Sequence, residues 1–151
     1  MRVLGWCLMP NHFHLVLWPH EDGDLSRWMQ WLLNTHVRRY HRHYKSDGHL
    51  WQGRFKAFPI EHDLHLLTVL RYVERNALRA GLVTRAELWP WSSLAGGILA
   101  EEKPSYWHTG PVQRPTNWPD LVNEPATEAE LQALRECVQR GKPYGDRKSV
   151  V

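Results

Sequence analysis

Cysteines, long apolar runs and secretion signals are scarce or missing in this sequence. Its two cysteines, Cys7 and Cys137, lie far apart in the chain, which argues against a disulfide framework or a zinc cluster. No apolar run approaches the roughly 18 residues of a membrane span, and no signal peptide is recognisable. We therefore expect a cytoplasmic protein with no membrane partner.

The chain does contain enough apolar sequence for one folded domain. It has 151 residues, of which 42% are apolar, and a formal net charge of +3. This length permits one domain with its own core and is too short for two substantial ones.

Acidic residues are nearly absent from one stretch, which is the most basic part of the chain. Between His36 and Lys56 the only acid is Asp47, and histidines and aromatic residues are interleaved with the cations. Cations neutralise phosphates and rings stack on unpaired bases, so this composition is typical of a single-stranded nucleic-acid groove. A solvated helix face is the alternative. The basic residues are Arg38, Arg39, Arg42, Lys45, Arg54 and Lys56.

Two histidines one residue apart lie in the apolar run LMPNHFHLVLW. In an extended strand, side chains two apart leave the same face, so His12 and His14 are expected to point the same way. Pro10 and Asn11 are typical of a tight turn, which predicts a second, antiparallel strand over residues 3–9. Two imidazoles on a stiff scaffold form half of a divalent-metal site. Alternatively, they are polar residues on a half-exposed face.

Apolar periodicity predicts two helices in the middle of the chain. The first has Asp24 as its N-cap, reaches about Arg42 and is expected to be buried along its apolar face. The second is capped by Asp63 and ends at about Asn76. On that helix Tyr72 and Asn76 are four residues apart, hence one turn apart on one face. Its predicted core stripe is Leu66, Val69, Leu70, Val73 and Ala77.

Turn and capping residues divide the rest of the sequence. Residues 50–60 are predicted to form a loop and a short strand, and Gly81 is expected to cap a helix end. Residues 84–125 are rich in Pro, Trp and Gly, so we expect no regular element there beyond one helical turn. A capping box of Thr127 and Glu130 predicts a last helix, followed by a short polar tail.

Three sequence blocks together resemble the single-tyrosine HUH transposases, in particular the REP-associated tyrosine transposases of bacteria. They are LMPNHFHLVLW, WQGRFKAFPIEHDLHLLTVLRYVERNALRAGLV and LWPWSSL, in the family's order within residues 3–94. The resemblance implies an α+β fold, an antiparallel sheet with helices packed on it, as in the ferredoxin-like core of HUH endonucleases. We expect the catalytic domain over residues 1–94, and an irregular Pro/Trp-rich segment with the C-terminal helix over 95–151.

The resemblance also implies roles for individual residues. His12 and His14 match the family's metal-binding pair, Tyr72 matches its nucleophile, and Asn76 matches the polar residue that supplies a third ligand. The implied cofactor is Mg²⁺ or Mn²⁺, and the implied reaction cleaves and rejoins single-stranded DNA through a 5′-phosphotyrosine at hairpin-forming repeats. Single-stranded or hairpin DNA is thus the expected partner, contacted by the six basic residues, and a homodimer is a further expectation.

The sequence departs from the family pattern in two places. Family members carry a strand and a helix ahead of the hairpin, and these are absent here, so we expect a member truncated at its N-terminus. The usual Asn-Pro is Asn76-Ala77 in this chain. Truncation leaves a second hypothesis open, a domesticated hairpin-DNA-binding protein without catalysis. A histidine-triad phosphoesterase is a weaker rival, because its third histidine would stand where this chain has Val16.

Overall fold

A two-stranded antiparallel hairpin opens the fold and carries both histidines. In this computed structural model, which describes residues 1–145, β1 spans Arg2–Leu8 and β2 spans Phe13–Trp18. The backbone N–H of Met9 donates to the carbonyl of His12 over 2.8 Å and closes the turn between them. The predicted antiparallel pairing is confirmed. The polar tail predicted beyond Tyr144 lies almost entirely outside the described residues.

Helices make up most of the remaining regular structure, so the predicted α+β class is confirmed. A single 3-10 turn spans Ala86–Leu88, and a π-helical turn spans Leu94–Ile98. Within residues 1–145, no helix is both long enough and apolar enough to cross a membrane. The α-helices are α1 (Asp24–Tyr44), α2 (Leu64–Glu74), α3 (Asn76–Arg79), α4 (Trp118–Asn123) and α5 (Glu128–Arg140).

Helix α2 packs across the hairpin and forms the centre of the core. The predicted cap is confirmed, because the carboxylate of Asp63 accepts the backbone N–H of His65 over 2.7 Å. Gly5 of β1 permits the close approach of the helix, since a Cβ there would lie 2.7 Å from Cδ2 of Leu70. The predicted core stripe is also confirmed, and all five of its members are buried: Leu66, Val69, Leu70, Val73 and Ala77.

The helix predicted to reach Asn76 is in fact two helices that meet at Arg75. The second of them, α3, ends where Gly81 adopts φ +71°. The Gly81 N–H donates to Leu78 and the Leu82 N–H donates to Ala77, both over 3.0 Å. These paired bonds are a Schellman motif, so the predicted glycine cap is confirmed.

Helix α1 is largely exposed, and the prediction of a buried helix is wrong. Met29 is its one buried residue, and Trp31 keeps 60% of its surface exposed. No other helix and neither strand packs extensively on α1 within residues 1–145, so most of its apolar face stays uncovered. The N-cap is Gly23 at φ +83°, one residue earlier than predicted. Asp24 instead accepts the backbone N–H groups of the preceding turn.

Two further predictions for irregular regions are corrected. Residues 50–60 form no strand, because no other strand within residues 1–145 runs beside the segment. Only Ile60 makes an isolated bridge, with Tyr144. Residues 84–125 contain more helix than the single turn expected. Burial of Trp118 and Val122 stabilises α4 there, although proline and tryptophan dominate the local sequence.

The C-terminal part packs into the same core as the hairpin and α2. Leu134 of α5 belongs to the buried cluster, together with Trp118 and Val122 of α4. The capping box is confirmed: the N–H of Glu130 donates to the Thr127 hydroxyl, and the N–H of Thr127 donates to the Glu130 carboxylate. The division of the chain at residue 94 stays a prediction.

Candidate active site

The two histidines lie side by side at the tip of the hairpin. Their rings are 5.1 Å apart and nearly perpendicular, at 89°. Because β2 begins at Phe13, His14 belongs to the strand, whereas His12 is the last residue of the turn. Nδ1 of His12 lies 2.7 Å from Oδ1 of Asn11, which leaves Nε2 of His12 as its remaining ring nitrogen.

His14 has a buried nitrogen that lacks a protein partner. Its Nε2 is buried and makes no hydrogen bond. Burial, with smaller contributions from positive charge on His12 and Arg79, lowers the pKa of His14 to about 4. The imidazole is therefore neutral near pH 7, which is the form that ligates metals. A neutral, unsatisfied and fixed nitrogen is consistent with a metal ligand.

Tyr72 faces His14 from the neighbouring helix. Its ring centroid lies 5.9 Å from that of His14, with the planes at 80°. Val16, two residues after His14, packs into the same core cluster as the buried stripe of α2. Helix α2 therefore covers the hairpin face that carries His14.

Asn76 lies next to Tyr72 but its amide oxygen is already engaged. It is the first residue of α3 and is 1% exposed. Its Nδ2 donates to the carbonyl of Tyr72 over 3.1 Å. Its Oδ1 accepts a hydrogen bond from Nη2 of Arg79 over 2.8 Å. The structure thus brings Asn76 beside the tyrosine, with the oxygen that would bind a metal directed to an arginine.

Arg79 belongs to this group, although no role was predicted for it from the sequence. Its guanidinium carbon lies 5.4 Å from the centroid of the Tyr72 ring. The signal was available in the spacing, since Tyr72, Asn76 and Arg79 stand at i, i+4 and i+7 and so share a helical face.

The six basic residues predicted to contact DNA are all exposed on α1 and the loop after it. None of them forms an ion pair with any carboxylate in residues 1–145. Aromatic rings accompany them, and Tyr40 and Tyr44 lie 4.5 Å apart. The six residues are Arg38, Arg39, Arg42, Lys45, Arg54 and Lys56.

A second group of ionisable residues precedes α2. Ligand atoms of Glu61, Asp63 and His65 all lie within 4.8 Å of one another. Nδ1 of His65 is 2.7 Å from Asp63 and 3.6 Å from Glu61, while Asp63 also caps the helix. His65 therefore pairs with both carboxylates, and Asp63 is also engaged at the helix terminus. Their alternation ahead of a helix is visible in the sequence.

Glu74 lies on the same face of α2 as Leu70, close to Gly5 of β1. It is fully buried, and its carboxylate accepts hydrogen bonds from Oγ of Ser93 over 2.7 Å and from Nε1 of Trp118 over 2.6 Å. Nη2 of Arg114 lies 3.8 Å from the same carboxylate. Burial raises the pKa of Glu74, and the charge of Arg114 opposes that shift. This network connects the tyrosine helix to residues from the C-terminal part of the chain.

Fold and site together define an α+β protein in which a histidine pair on a hairpin faces a tyrosine on a packed helix. Residues 1–76 match the family model of IS200-like transposases, and the chain belongs to that family. The matched region includes both histidines, Tyr72 and Asn76. No curated protein and no solved structure matches the chain significantly. The predicted transposase family is thus confirmed, and with it a DNA-binding protein of a DNA-cleaving class.

Proposed function

We propose that this transposase cleaves and rejoins single-stranded DNA at hairpin-forming repeats, through a 5′-phosphotyrosine on Tyr72. The contact between the Tyr72 ring and His14, 5.9 Å apart, carries the proposal. It joins a nucleophile to a nitrogen that has no partner within the described chain.

His12, His14 and Asn76 would hold the Mg²⁺ or Mn²⁺ ion. The buried Nε2 of His14 fits this role, because an unsatisfied polar atom is costly unless it has a ligand. As metal ligands all three donors would be neutral, so the ion would keep its full positive charge. When bound, it would supply that charge to the phosphate and lower the barrier to attack.

Tyr72 would carry out the covalent step. A phenol has a pKa near 10, so its proton must leave as the oxygen attacks. The Tyr72 oxygen bonds to phosphorus, the bond from phosphorus to the 3′-oxygen breaks, and that oxygen takes up a proton. The products are a 5′-phosphotyrosine and a free 3′-hydroxyl. The phosphodiester energy is conserved, so another 3′-hydroxyl can reverse the step and rejoin the strand.

The exposed basic residues of α1 and its following loop would hold the DNA. Their charge has no carboxylate partner in residues 1–145, which leaves it available for phosphates. The neighbouring rings favour an unpaired strand, because bases stack on them only when unstacked from one another. A homodimer stays a prediction.

The test is incubation of the protein with a labelled single strand that contains a hairpin, in Mn²⁺. We expect the wild-type protein to form an adduct that survives denaturant and Tyr72→Phe to form none, since only the phenol oxygen is removed. Tyr40→Phe, which removes an exposed phenol on α1, is the matched control and should still form the adduct.

Two results would contradict the proposal. An adduct that persists in Tyr72→Phe would exclude Tyr72 as the nucleophile. A wild-type protein that shifts the strand in a native gel and leaves it whole would support the hypothesis of a hairpin-DNA-binding protein without catalysis.

A further inference from the structure

Arg79 connects the proposed nucleophile with a proposed metal ligand. One guanidinium lies against the Tyr72 ring and donates to the amide oxygen of Asn76. Two of the groups assigned to the reaction therefore contact one exposed side chain.

The positive charge of Arg79 is not neutralised within the described chain. No carboxylate in residues 1–145 lies within ion-pair distance of it, although Arg27, Arg85, Arg114 and Arg135 all have such partners. A guanidinium has five N–H donors, so one bond to Asn76 leaves others for an oxyanion. Arg79 is also exposed, so its remaining donors can be reached from solvent. An accessible charged donor is suited to a phosphate.

The arginines four and eight residues before Arg79 are not free in this way. Arg71 donates to the carbonyls of Glu124 and Pro125, and Arg75 donates to those of Asn123 and Glu124. These carbonyls end α4, so both arginines serve as structural caps. Arg79 alone of the three donates to a residue of the candidate site.

The bond from Arg79 to Asn76 opposes metal binding at that oxygen. Oδ1 of Asn76 points to a cation at 2.8 Å, and a second cation on the same oxygen would be repelled by the first. The amide nitrogen cannot replace it, because Nδ2 donates to the carbonyl of Tyr72. Asn76 can therefore complete the metal site only when Arg79 moves away.

We propose that Arg79 binds the DNA phosphate next to Tyr72 and thereby releases the Asn76 oxygen to the metal, so that DNA and metal bind cooperatively. The inference depends on the proposed function for the identity of the substrate. Arg79 acts on the metal site through Asn76 and is a positioning residue there. Toward DNA it is a phosphate-binding residue.

The experiment is a calorimetric titration of Mn²⁺ into the DNA-free protein. Replacing Arg79 by Met removes the donor and keeps a helix-forming side chain of similar length. We expect Arg79→Met to tighten Mn²⁺ binding about tenfold, since a hydrogen bond from a charged group no longer competes for Asn76. In an Asn76→Ala background the same change should have little effect. Arg85→Met, which removes the same charge from a side chain paired with Glu87, is the control.

A second titration measures cooperativity directly and does not depend on Asn76→Ala folding. Mn²⁺ is titrated with and without a single-stranded oligonucleotide in a Tyr72→Phe background, where no cleavage occurs. We expect the oligonucleotide to tighten Mn²⁺ binding when Arg79 is present and to have a much weaker effect in Arg79→Met.

The results separate this inference from the proposed function. Unchanged Mn²⁺ affinity in DNA-free Arg79→Met would overturn the inference, even if Tyr72 forms its adduct. An equal gain in Mn²⁺ affinity in the Asn76→Ala background would also overturn the inference, because repulsion between Arg79 and the ion would then explain the gain without Asn76. If Tyr72 forms no adduct but the Mn²⁺ affinity changes as expected, the proposed function fails and the competition for Asn76 stands.

Discussion

Helices α1 and α2 carry the two halves of the proposed activity and are built in opposite ways. In α2, five of 11 residues are buried, and in α1 only Met29 of 21 residues is buried. A nucleophile must be held in a fixed position relative to its metal ligands, and a packed helix does this. A strand of DNA needs accessible charge and rings, which an uncovered helix offers. The protein thus separates rigid chemistry from exposed binding along one short chain.

Contacts on one face of α2 hold the helix against the hairpin. There Gly5 of β1 allows Leu70 to approach closely. One turn later on the same face, the buried Glu74 accepts hydrogen bonds from Ser93 and Trp118. Tyr72 lies between Leu70 and Glu74 in the sequence, so the packing of the core determines the position of the backbone that carries it.

The largest expected effect contrasts the stability of the two helices. Leu70→Ala should lower the free energy of unfolding by about 3 kcal/mol, because it opens a cavity in a fully buried position. Trp31→Ala on α1 should change it by less than about 0.5 kcal/mol, despite the larger side chain removed. Urea unfolding followed by circular dichroism measures both. A similar loss for the two variants would mean that α1 is covered in solution, and the comparison would fail.

The next effect tests α1 as the DNA-binding helix. Tyr44 keeps 62% of its surface exposed and pairs with Tyr40. Tyr44→Ala should weaken binding of a single strand by about 1–2 kcal/mol, the contribution of one stacked base, while the unfolding free energy stays unchanged. Fluorescence anisotropy with a labelled oligonucleotide reports the affinity. Tyr106, an exposed tyrosine outside α1, supplies the control variant Tyr106→Ala. An equal loss of DNA affinity in the two variants would show that α1 is not the binding surface.

A smaller effect is expected from a single cation on α1. Arg42→Gln should weaken single-strand binding and reduce the slope of log affinity against log salt concentration by about one, if Arg42 neutralises one phosphate. Binding is measured at several salt concentrations. Arg135→Gln on α5 is the control, since Arg135 already pairs with Glu128. An unchanged slope in Arg42→Gln would show that Arg42 lies on a solvated helix face and contacts no phosphate.

The smallest effect concerns the pH dependence of stability at Glu74. Burial raises its pKa in the folded protein above the value in the unfolded chain, so the folded state binds more protons in that window. Its contribution to stability therefore falls as the pH rises from about 4.3, the ordinary pKa of Glu, through the raised folded pKa.

Glu74→Gln removes that titration and replaces the carboxyl group by an amide of similar size. We expect the unfolding free energy of the wild-type protein, relative to the variant, to decline as the pH rises across this window. Urea unfolding at a series of pH values measures the difference. A difference that increases with pH would show that the Arg114 charge outweighs burial and lowers the pKa instead.

Local signals in the sequence predicted the parts of the fold that local interactions determine. The buried stripe of α2 follows from 3.6-residue periodicity, and the caps at Asp63, Gly81 and Thr127 follow from residue type at a helix end. Each of these depends on residues within a few positions of one another.

Long-range contacts determine what the sequence could not reveal. The apolar pattern of α1 predicted burial, but it contains no information on whether a partner long enough to cover it exists. The bond between Ser93 and Glu74 and that between Trp118 and Glu74 join residues 19 and 44 positions apart. The hydrogen bond from Arg79 to Asn76 depends on side-chain conformation, so spacing could place the two together without revealing that the oxygen is engaged.

Mass spectrometry of the DNA–protein linkage tests directly whether Tyr72 is the nucleophile. Trypsin cuts after Arg71 and Arg75, so Tyr72 falls in a four-residue peptide that contains no other tyrosine. The protein reacts with a single strand in Mn²⁺ and is then digested with nuclease and trypsin. If Tyr72 is the nucleophile, the residual nucleotide is attached to the peptide of residues 72–75. Attachment to a peptide that carries Tyr40, Tyr44, Tyr106 or Tyr144, or a cleaved strand with no attached peptide, would contradict it.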